Sequence, residues 1–248
     1  MRTMAADLHV HSALSPCADD NMTPRAIVLA AIAAELDLIA ICDHNSTDNV
    51  AAVQAAARDF ADDLFGVIAG IEITTAEEAH ILGLFPNAEQ AAAVAREVAA
   101  ALPPAIPNLR GYGRQCVMNA NGEVLRENGS MLSWASAFTV SQAVALIHEH
   151  EGLAIAAHVD RPSFSVISQL GFMPEDVVFD AIEISAAGMK KERGKVFSER
   201  GAAIVSCSDA HFLDNIGDAR TVFRIESPEF SEVAMALTQT AGRRICHA

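Results

Sequence analysis

The stretch DLHVHS, residues 7–12, shapes the interpretation of the whole chain. Apolar Leu8 and Val10 alternate with polar neighbours, which predicts a β-strand with a period of two. Residues two apart on a strand point to the same face, so we expect the imidazoles of His9 and His11 side by side. Such a pair suits two bonds to one divalent cation. A strand with two half-buried structural histidines explains the same residues, and this stretch alone leaves both interpretations open.

Composition and charge narrow the class of protein. The 248 residues are 51% hydrophobic and 20% charged, which is typical of a globular chain. Charged residues interrupt every long apolar run, so no membrane segment is predicted. The five cysteines form no CxxC pair, which favours reduced thiols and a cytoplasmic location. The formal net charge of −15 predicts no non-specific binding to nucleic acid.

Short apolar strands alternate with alanine-rich helices over nearly the whole chain. Thr23 is a suitable N-cap for a helix that begins at Pro24, and another helix is predicted over residues 189–200. Repeated βα units predict parallel strands, and about seven of them predict an α/β fold, a distorted seven-stranded (β/α)7 TIM-like barrel. We expect one barrel domain over residues 1–248, with an insertion or cap at about 105–138.

Polar residues recur where the predicted strands end, and barrel enzymes assemble their active sites at that edge. Taken singly, a turn explains Asp43-His44, and an N-cap role explains Ser208 or Asp209. Taken together, the residues predict a cluster of two or three divalent ions. The residues are His9, His11, His44, Glu72, His80, His158, Asp209 and His211. The other three histidines, His148, His150 and His247, are interpreted as surface or packing residues.

Six short motifs in order carry a resemblance to a known family. They are DLHVHS (7–12), ICDHNS (41–46), GIEITT (70–75), HILGL (80–84), AAHVDRP (156–162) and SDAH (208–211). Over essentially its whole length the chain resembles the polymerase and histidinol phosphatase (PHP) family of metal-dependent phosphoesterases. The resemblance implies a distorted seven-stranded βα barrel with up to three divalent ions, manganese, iron or zinc, at the carboxyl ends of the strands.

The resemblance also implies how the ligands divide among the ions. The first ion is expected at His9, His11, Glu72 and Asp209. The second is expected at Glu72, His80 and His158, with Glu72 as the bridge, and the third at Asp19, His44 and His211. Asp19 is preferred to Asp20 because it lies four residues before Thr23-Pro24, as in related phosphoesterases.

The activity that the resemblance implies is phosphoric ester hydrolysis by a metal-activated water. Small phosphate monoesters, phosphorylated metabolites or nucleotides, are the expected substrates, and catalytic roles are expected for Glu72, Asp209, His211 and Arg161. Arg161 is also expected to bind the phosphate. A second basic group, formed by Lys190, Lys191 and Arg193, either binds substrate, with Lys190 and Arg193 as the expected contacts, or is a solvated helix face. The alternatives are a 3'-5' exonuclease-like phosphodiesterase and a non-catalytic metal-binding regulatory module. Oligomeric state is not predicted.

The predicted insertion contains Tyr112 and Trp134, the single tyrosine and tryptophan of the chain. One hypothesis is that it caps the site and offers an aromatic platform for a nucleotide base. The alternative is that both rings pack the insertion onto the barrel.

Overall fold

The central feature of the computed structural model, which describes residues 1–61, 64–106 and 113–247, is a sheet of nine strands. The strands in chain order are β1 Arg2–Val10, β2 Leu38–Ile41, β3 Gly66–Thr74, β4 His80–Phe85, β5 Cys116–Met118, β6 Val124–Glu127, β7 Leu153–Ala156, β8 Ala181–Glu183, β9 Ile204–Val205, β10 Thr221–Ile225 and β11 Arg244–His247. The order in the large sheet is β11-β10-β1-β2-β3-β4-β7-β8-β9, and β5 and β6 form a separate hairpin.

The large sheet curls until its two sides nearly meet. Val10, at the end of β1, forms a parallel bridge with Ala210, just beyond β9, and the His11 N–H donates to the Ala210 carbonyl. The predicted α/β, barrel-like fold is confirmed in this form. The exact (β/α)7 repeat is not confirmed, because β4 runs antiparallel to both β3 and β7, and β10 and β11 extend the sheet beyond β1.

Strand β1 departs from simple alternation just before the two histidines. Its pairing with β2 shifts register between Asp7 and Val10, so β1 contains an extra residue there. Such a bulge bends a strand and redirects its side chains. Leu8 and Val10 consequently belong to different hydrophobic clusters, whereas strict alternation would place them on one face.

The helices cover the outside of the curled sheet. They are α1 Pro24–Ala33, α2 Val50–Phe60, α3 Ala88–Ala100, α4 Val140–Glu149, α5 Val166–Leu170, α6 Ala186–Met189, α7 Lys195–Ser198 and α8 Phe230–Leu237. Thr23 accepts a hydrogen bond from the Ala26 N–H as the N-cap of α1. The continuous helix predicted over residues 189–200 is wrong: α6 ends at Met189, and a separate four-residue helix, α7, begins after Gly194.

Two buried apolar clusters lie on opposite faces of the strands. In β2, Leu38 and Ala40 join a cluster that includes residues of α8, whereas Ile39 and Ile41 join a larger one packed against α1 to α4. A strand buried on both faces explains the continuous apolar run of β2. In the described part of the chain, no helix is long and apolar enough to cross a bilayer.

Candidate metal centre

The polar residues predicted at strand ends meet at one edge of the curled sheet. Most of them follow the carboxyl ends of parallel strands. His80 is the exception, because β4 runs in the opposite direction and presents its first residue at this edge. The cluster is almost fully buried: His9, His11 and Glu72 have no exposed surface, and His44, His80 and His158 have 8% or less.

Glu72 lies at the centre of this cluster, within 3.4 Å of five imidazoles. Oε1 faces three of the rings and Oε2 faces the other two. The distances are 3.4 Å to His9 Nε2, 3.3 Å to His11 Nε2, 2.9 Å to His44 Nδ1, 2.7 Å to His80 Nδ1 and 3.3 Å to His158 Nε2. A carboxylate with ring nitrogens beside both oxygens is placed to contact more than one ion.

Asp209 is the second carboxylate of the cluster. Its Oδ1 lies 3.3 Å from His9 Nε2 and 3.0 Å from His11 Nε2, and its Oδ2 accepts a short hydrogen bond from Arg161 Nη1. Its backbone carbonyl accepts a 2.8 Å hydrogen bond from His211 Nδ1, which turns Nε2 of that ring outward. Asp209 therefore links the buried imidazoles to the exposed side of the site.

Divalent ions fit this donor set. Buried atoms without a well-formed hydrogen bond among the described residues include His44 Nδ1, His80 Nδ1, His158 Nδ1 and Glu72 Oε2. Leaving such atoms unsatisfied is costly, and convergent imidazoles and carboxylates are the usual ligands of transition-metal ions. Three sets of atoms lie within 4.8 Å of one another: His9, His11, Glu72 and Asp209; His44, Glu72 and His80; and His11, His44 and His211.

These sets compare closely with those expected from the motifs. The first matches the predicted ligands of one ion. The second contains His44 beside Glu72 and His80, while the predicted third member, His158, lies 3.3 Å from Glu72. The third set lacks Asp19, whose side chain instead accepts the Asn21 N–H. Ligand roles for individual residues stay predictions.

Further groups, which the sequence analysis did not single out, contact the Nδ1 atoms of His9 and His11, on the side of each ring opposite the Nε2 that faces the carboxylates. Glu183, fully buried at the end of β8, contacts His9 Nδ1 at 3.0 Å. Ser15 contacts His11 Nδ1 at 2.9 Å and donates to Asp43. Such partners direct the other ring nitrogen toward an ion. The available signal was that Glu183, like the predicted ligands, ends an apolar strand.

Nearby carboxylates raise the pKa of three imidazoles. Burial alone lowers the pKa of His9, but the charges of Asp209 and Glu72 outweigh burial and raise it well above its usual value. Burial alone lowers the pKa of His11, but its hydrogen bonds with Asp209 and Glu72 outweigh burial and raise it to about 9. Burial likewise lowers the pKa of His44, and the charge of Glu72 reverses that effect and raises it to about 9. The His11 and His44 rings are therefore protonated at neutral pH, and a metal ion must displace a proton from each ring that it binds.

Two other imidazoles shift in the opposite direction. Burial lowers the pKa of His80 to about 4, and the charge of Glu72 offsets this only in part. Burial, and then the positive charge of His11, lower the pKa of His211 to about 3. These two rings are therefore neutral at pH 7, which is the form that binds metal ions.

Three non-glycine residues at this edge have a left-handed backbone conformation. His158, Asp209 and Asn45 have φ values of 29°, 52° and 50°. Non-glycine residues adopt such values at a cost, and they cluster at functional sites. The Asn45 amide donates to the carbonyls of Leu132 and Trp134, which fastens that loop beside the cluster.

A cavity of about 340 Å³ opens over the cluster. Arg161 and Asp209 line it and also line a second cavity of about 480 Å³, which Lys191 and Arg193 border. Predicted residue Lys190 is exposed and lines neither of these two cavities.

The aromatic ring at the mouth of the site is Phe164, which the sequence analysis missed. It stacks on His80 with ring centroids 5.0 Å apart and is 45% exposed. Tyr112 of the predicted platform lies outside the described residues. Trp134 is an exposed side chain within the loop that Asn45 binds.

Comparisons with known proteins agree with this geometry. The family model for the PHP domain matches residues 7–170, and a model described as PHP-associated matches residues 193–241. No curated protein matches the chain.

Several solved structures share the fold. The lesion-specific endonuclease Q from Pyrococcus furiosus matches with a TM-score of 0.75 at 18% identity. The structure of endonuclease Q in complex with a 27-mer duplex substrate, with an abasic lesion at the active site, matches with a TM-score of 0.74 at 17% identity. Each match covers 98% of this chain and 58% of the other, so the chain spans less than two thirds of those proteins.

A third structure matches over nearly its full length. It comes from Bifidobacterium adolescentis and is only provisionally described as a metal-dependent phosphoesterase; its TM-score is 0.61 at 16% identity, covering 95% of this chain and 96% of that one. At these identities the likeness shows the fold.

The prediction of a small phosphorylated partner without non-specific nucleic-acid binding is wrong. A protein of this fold is described with a DNA duplex substrate at its active site. The net charge of −15 describes the whole surface, whereas phosphate binding depends on the local field of ions and arginines. The acidic composition therefore does not exclude a nucleic-acid substrate.

Proposed function

The chain belongs to the PHP domain family, and from this premise we propose that it is a metal-dependent nuclease that cleaves phosphodiester bonds. The family and the similar structures are metal-dependent hydrolases of phosphate esters. The proposal adds the type of ester. One observation carries it: the cavity over the metal cluster and a second cavity adjoin at Arg161 and Asp209.

The two cavities suit a diester better than a monoester. A phosphodiester carries a substituent on each side of phosphorus, so its binding site needs space in two directions from the reacting group. Arg161 would donate to a phosphate oxygen between the two spaces, while Lys191 and Arg193 would face the flanking phosphates of one strand. Phe164 offers a ring on which a base can stack on the other side.

Divalent ions are expected at the three ligand sets around Glu72. When bound, they supply Lewis-acid charge and a water of lowered pKa. Glu72 would hold neighbouring ions at a constant separation, and Asp209 would both bind an ion and position Arg161 through their hydrogen bond. His211 would bind an ion at the exposed side of the cluster, in the set with His11 and His44. The mixed nitrogen and oxygen donors suit manganese, iron or zinc.

The similarity to endonuclease Q supports a nucleic-acid substrate, and the exonuclease-like alternative remains compatible with the same chemistry. The five cysteines, all with free thiols, support the cytoplasm as the compartment.

The test is a cleavage assay on metal-loaded protein. Labelled single strands, duplexes and duplexes with one abasic site would be compared with a small phosphate monoester and a small diester. We expect cleavage of the nucleic acids and the diester. Turnover of the monoester alone would overturn the proposal, and metal-loaded protein that cleaves no ester would favour a regulatory module.

A matched pair of lysine variants tests the second cavity. Lys191→Ala should raise KM for a labelled strand about tenfold, because one phosphate contact is lost. Lys190→Ala removes a neighbouring exposed lysine outside both cavities and should leave KM unchanged. Equal effects of the two substitutions would contradict the assignment of this cavity to the strand.

A further inference from the structure

The third ligand set of the cluster contains three imidazoles, from His11, His44 and His211. Imidazoles bind metal ions as neutral ligands, so this set by itself supplies no charge to balance an ion. Asp19 was expected to supply it, but its carboxylate accepts the Asn21 N–H within its own loop. An anionic side chain beside these three imidazoles would balance the charge of an ion held there.

Cys17 occupies the place that Asp19 was expected to fill. Its Sγ lies 3.1 Å from His211 Nε2, and its side chain also interacts with that of His44. The residue is exposed and lines the cavity over the cluster. Zinc bonds of about 2.3 Å to sulfur and 2.0 Å to nitrogen place two tetrahedral ligands roughly 3.5 Å apart. The observed separation is close to this value.

The loop that carries Cys17 is held next to the segments that carry His211 and His44. The Asp19 N–H donates to the His211 carbonyl, so the loop that carries Cys17 is joined to the segment that carries His211. His44 is more than nine-tenths buried, and its Nδ1 lies 2.9 Å from Glu72 Oε2 without a well-formed hydrogen bond among the described residues. The thiol thus interacts with two imidazoles of the third ligand set, and one of them already points a second nitrogen at the central carboxylate.

We propose that Cys17 is a thiolate ligand of the third metal ion, together with His44 and His211. The inference rests on the metal centre of the proposed function and deepens it. As the sulfur–metal bond forms, the thiol proton passes to solvent. A soft donor at this position favours zinc or iron over magnesium or manganese. The third ion would then differ in chemistry from the two ions that share Glu72.

Cobalt(II) spectroscopy tests the ligand without recourse to activity. Cobalt-loaded wild-type protein should show a sulfur-to-cobalt charge-transfer band in the near ultraviolet. Cys17→Ser should lose the band and about one equivalent of cobalt. Cys17→Asp should recover the cobalt without the band, because a carboxylate replaces the charge. Cys246→Ser, which removes a second exposed thiol at the far end of the chain, should keep both.

Alkylation provides a second readout within one protein. Cobalt or zinc should slow the alkylation of Cys17 about tenfold or more, because a coordinated thiolate is no longer free to react, while Cys246 reacts at an unchanged rate. Mapping the modified peptides separates the two thiols. Full metal content with no charge-transfer band and no protection would overturn the Cys17 ligand while leaving the metal centre intact. Protein that takes up no metal would overturn both proposals.

Discussion

Glu72 and Glu232 are both buried, yet their surroundings differ in kind. Glu232, in α8, is 6% exposed, and Arg243 contacts both of its oxygens at 2.9 and 3.1 Å. The Glu226 N–H adds a third hydrogen bond. Glu72 has no exposed surface, and five imidazoles lie within 3.4 Å of its two oxygens. The hydrogen bonds of Glu232 all come from the chain itself, whereas the surroundings of Glu72 suit metal ions.

The pKa values of the two carboxyl groups reflect this difference. The hydrogen bond from Arg243 lowers the pKa of Glu232. Burial alone would raise the pKa of Glu72, but the surrounding imidazoles hold it well below its usual range. Arginine is always charged, whereas imidazoles lose their protons near neutrality. A buried carboxylate whose partners are mainly histidines is therefore a better indication of a metal site than one with an arginine partner.

The largest expected effect comes from removing the central carboxylate. Glu72→Ala should release more than one equivalent of metal, because two of the ligand sets share this residue. Turnover should fall about 10³-fold or more, equivalent to about 4 kcal/mol. Metal analysis and a cleavage assay measure both effects. Glu232→Gln is the matched control and should keep its metal; retention of all metal by Glu72→Ala would refute the bridging role.

A smaller effect is expected from the carboxylate behind His9. Glu183→Gln should weaken metal binding about 10- to 100-fold, because the amide orients and polarises the ring less well. Competition with a chelator measures this change. Glu226→Gln, an exposed change beside Arg243, serves as the control. An unchanged affinity in Glu183→Gln would mean that His9 is oriented without its partner.

The pH dependence of metal binding should follow the imidazoles with raised pKa. His11 and His44, with a pKa of about 9, are protonated in the metal-free protein at pH 7. Affinity should therefore rise with pH between 7 and 9, by about tenfold per unit for each proton displaced. Titrations in buffers of different ionisation enthalpy count the released protons. A flat profile from pH 7 to 9 would contradict the assignment of these rings as ligands.

The smallest effect is expected at Glu232. Glu232→Gln should lower the free energy of unfolding by about 1 kcal/mol, because a charged hydrogen bond becomes a neutral one. The folded-state pKa is depressed, so the wild-type advantage is present above the ordinary value of 4.5 and disappears as the pH falls through the folded-state pKa. Urea unfolding at pH 7 and pH 3 measures the difference. An equal loss at both values would mean that packing, not charge, is responsible.

Several features of the fold and site are readable in single stretches of sequence. The continuous apolar run of β2, the cap at Thr23 and the recurrence of histidines at strand ends depend on residues close in sequence. They predicted the barrel-like α/β fold and the residues that gather around Glu72. The helix predicted over residues 189–200 was wrong because local propensity does not reveal which turns the packed chain adopts.

Other features depend on residues far apart in the chain. The contact of Glu183 with His9 joins positions 174 residues apart, and that of Cys17 with His211 joins positions 194 apart. Cys17, and not Asp19, lies beside His211 because of the path of the loop that carries both residues. The spacing of residues in the sequence does not predict that path. The substrate was misjudged for a related reason, because net charge counts residues without regard to where they lie.

Local sequence patterns were sufficient to predict a barrel-like α/β sheet with imidazoles and carboxylates at one edge. The period of its strands and the residue types at their ends are local properties. The packing of the folded chain was needed to show that β4 is antiparallel to its neighbours, that Glu72 lies at the centre of the cluster, and that Cys17 rather than Asp19 lies beside the third set of imidazoles. Those outcomes depend on the closure of the sheet, which brings distant strand ends within a few ångströms of one another.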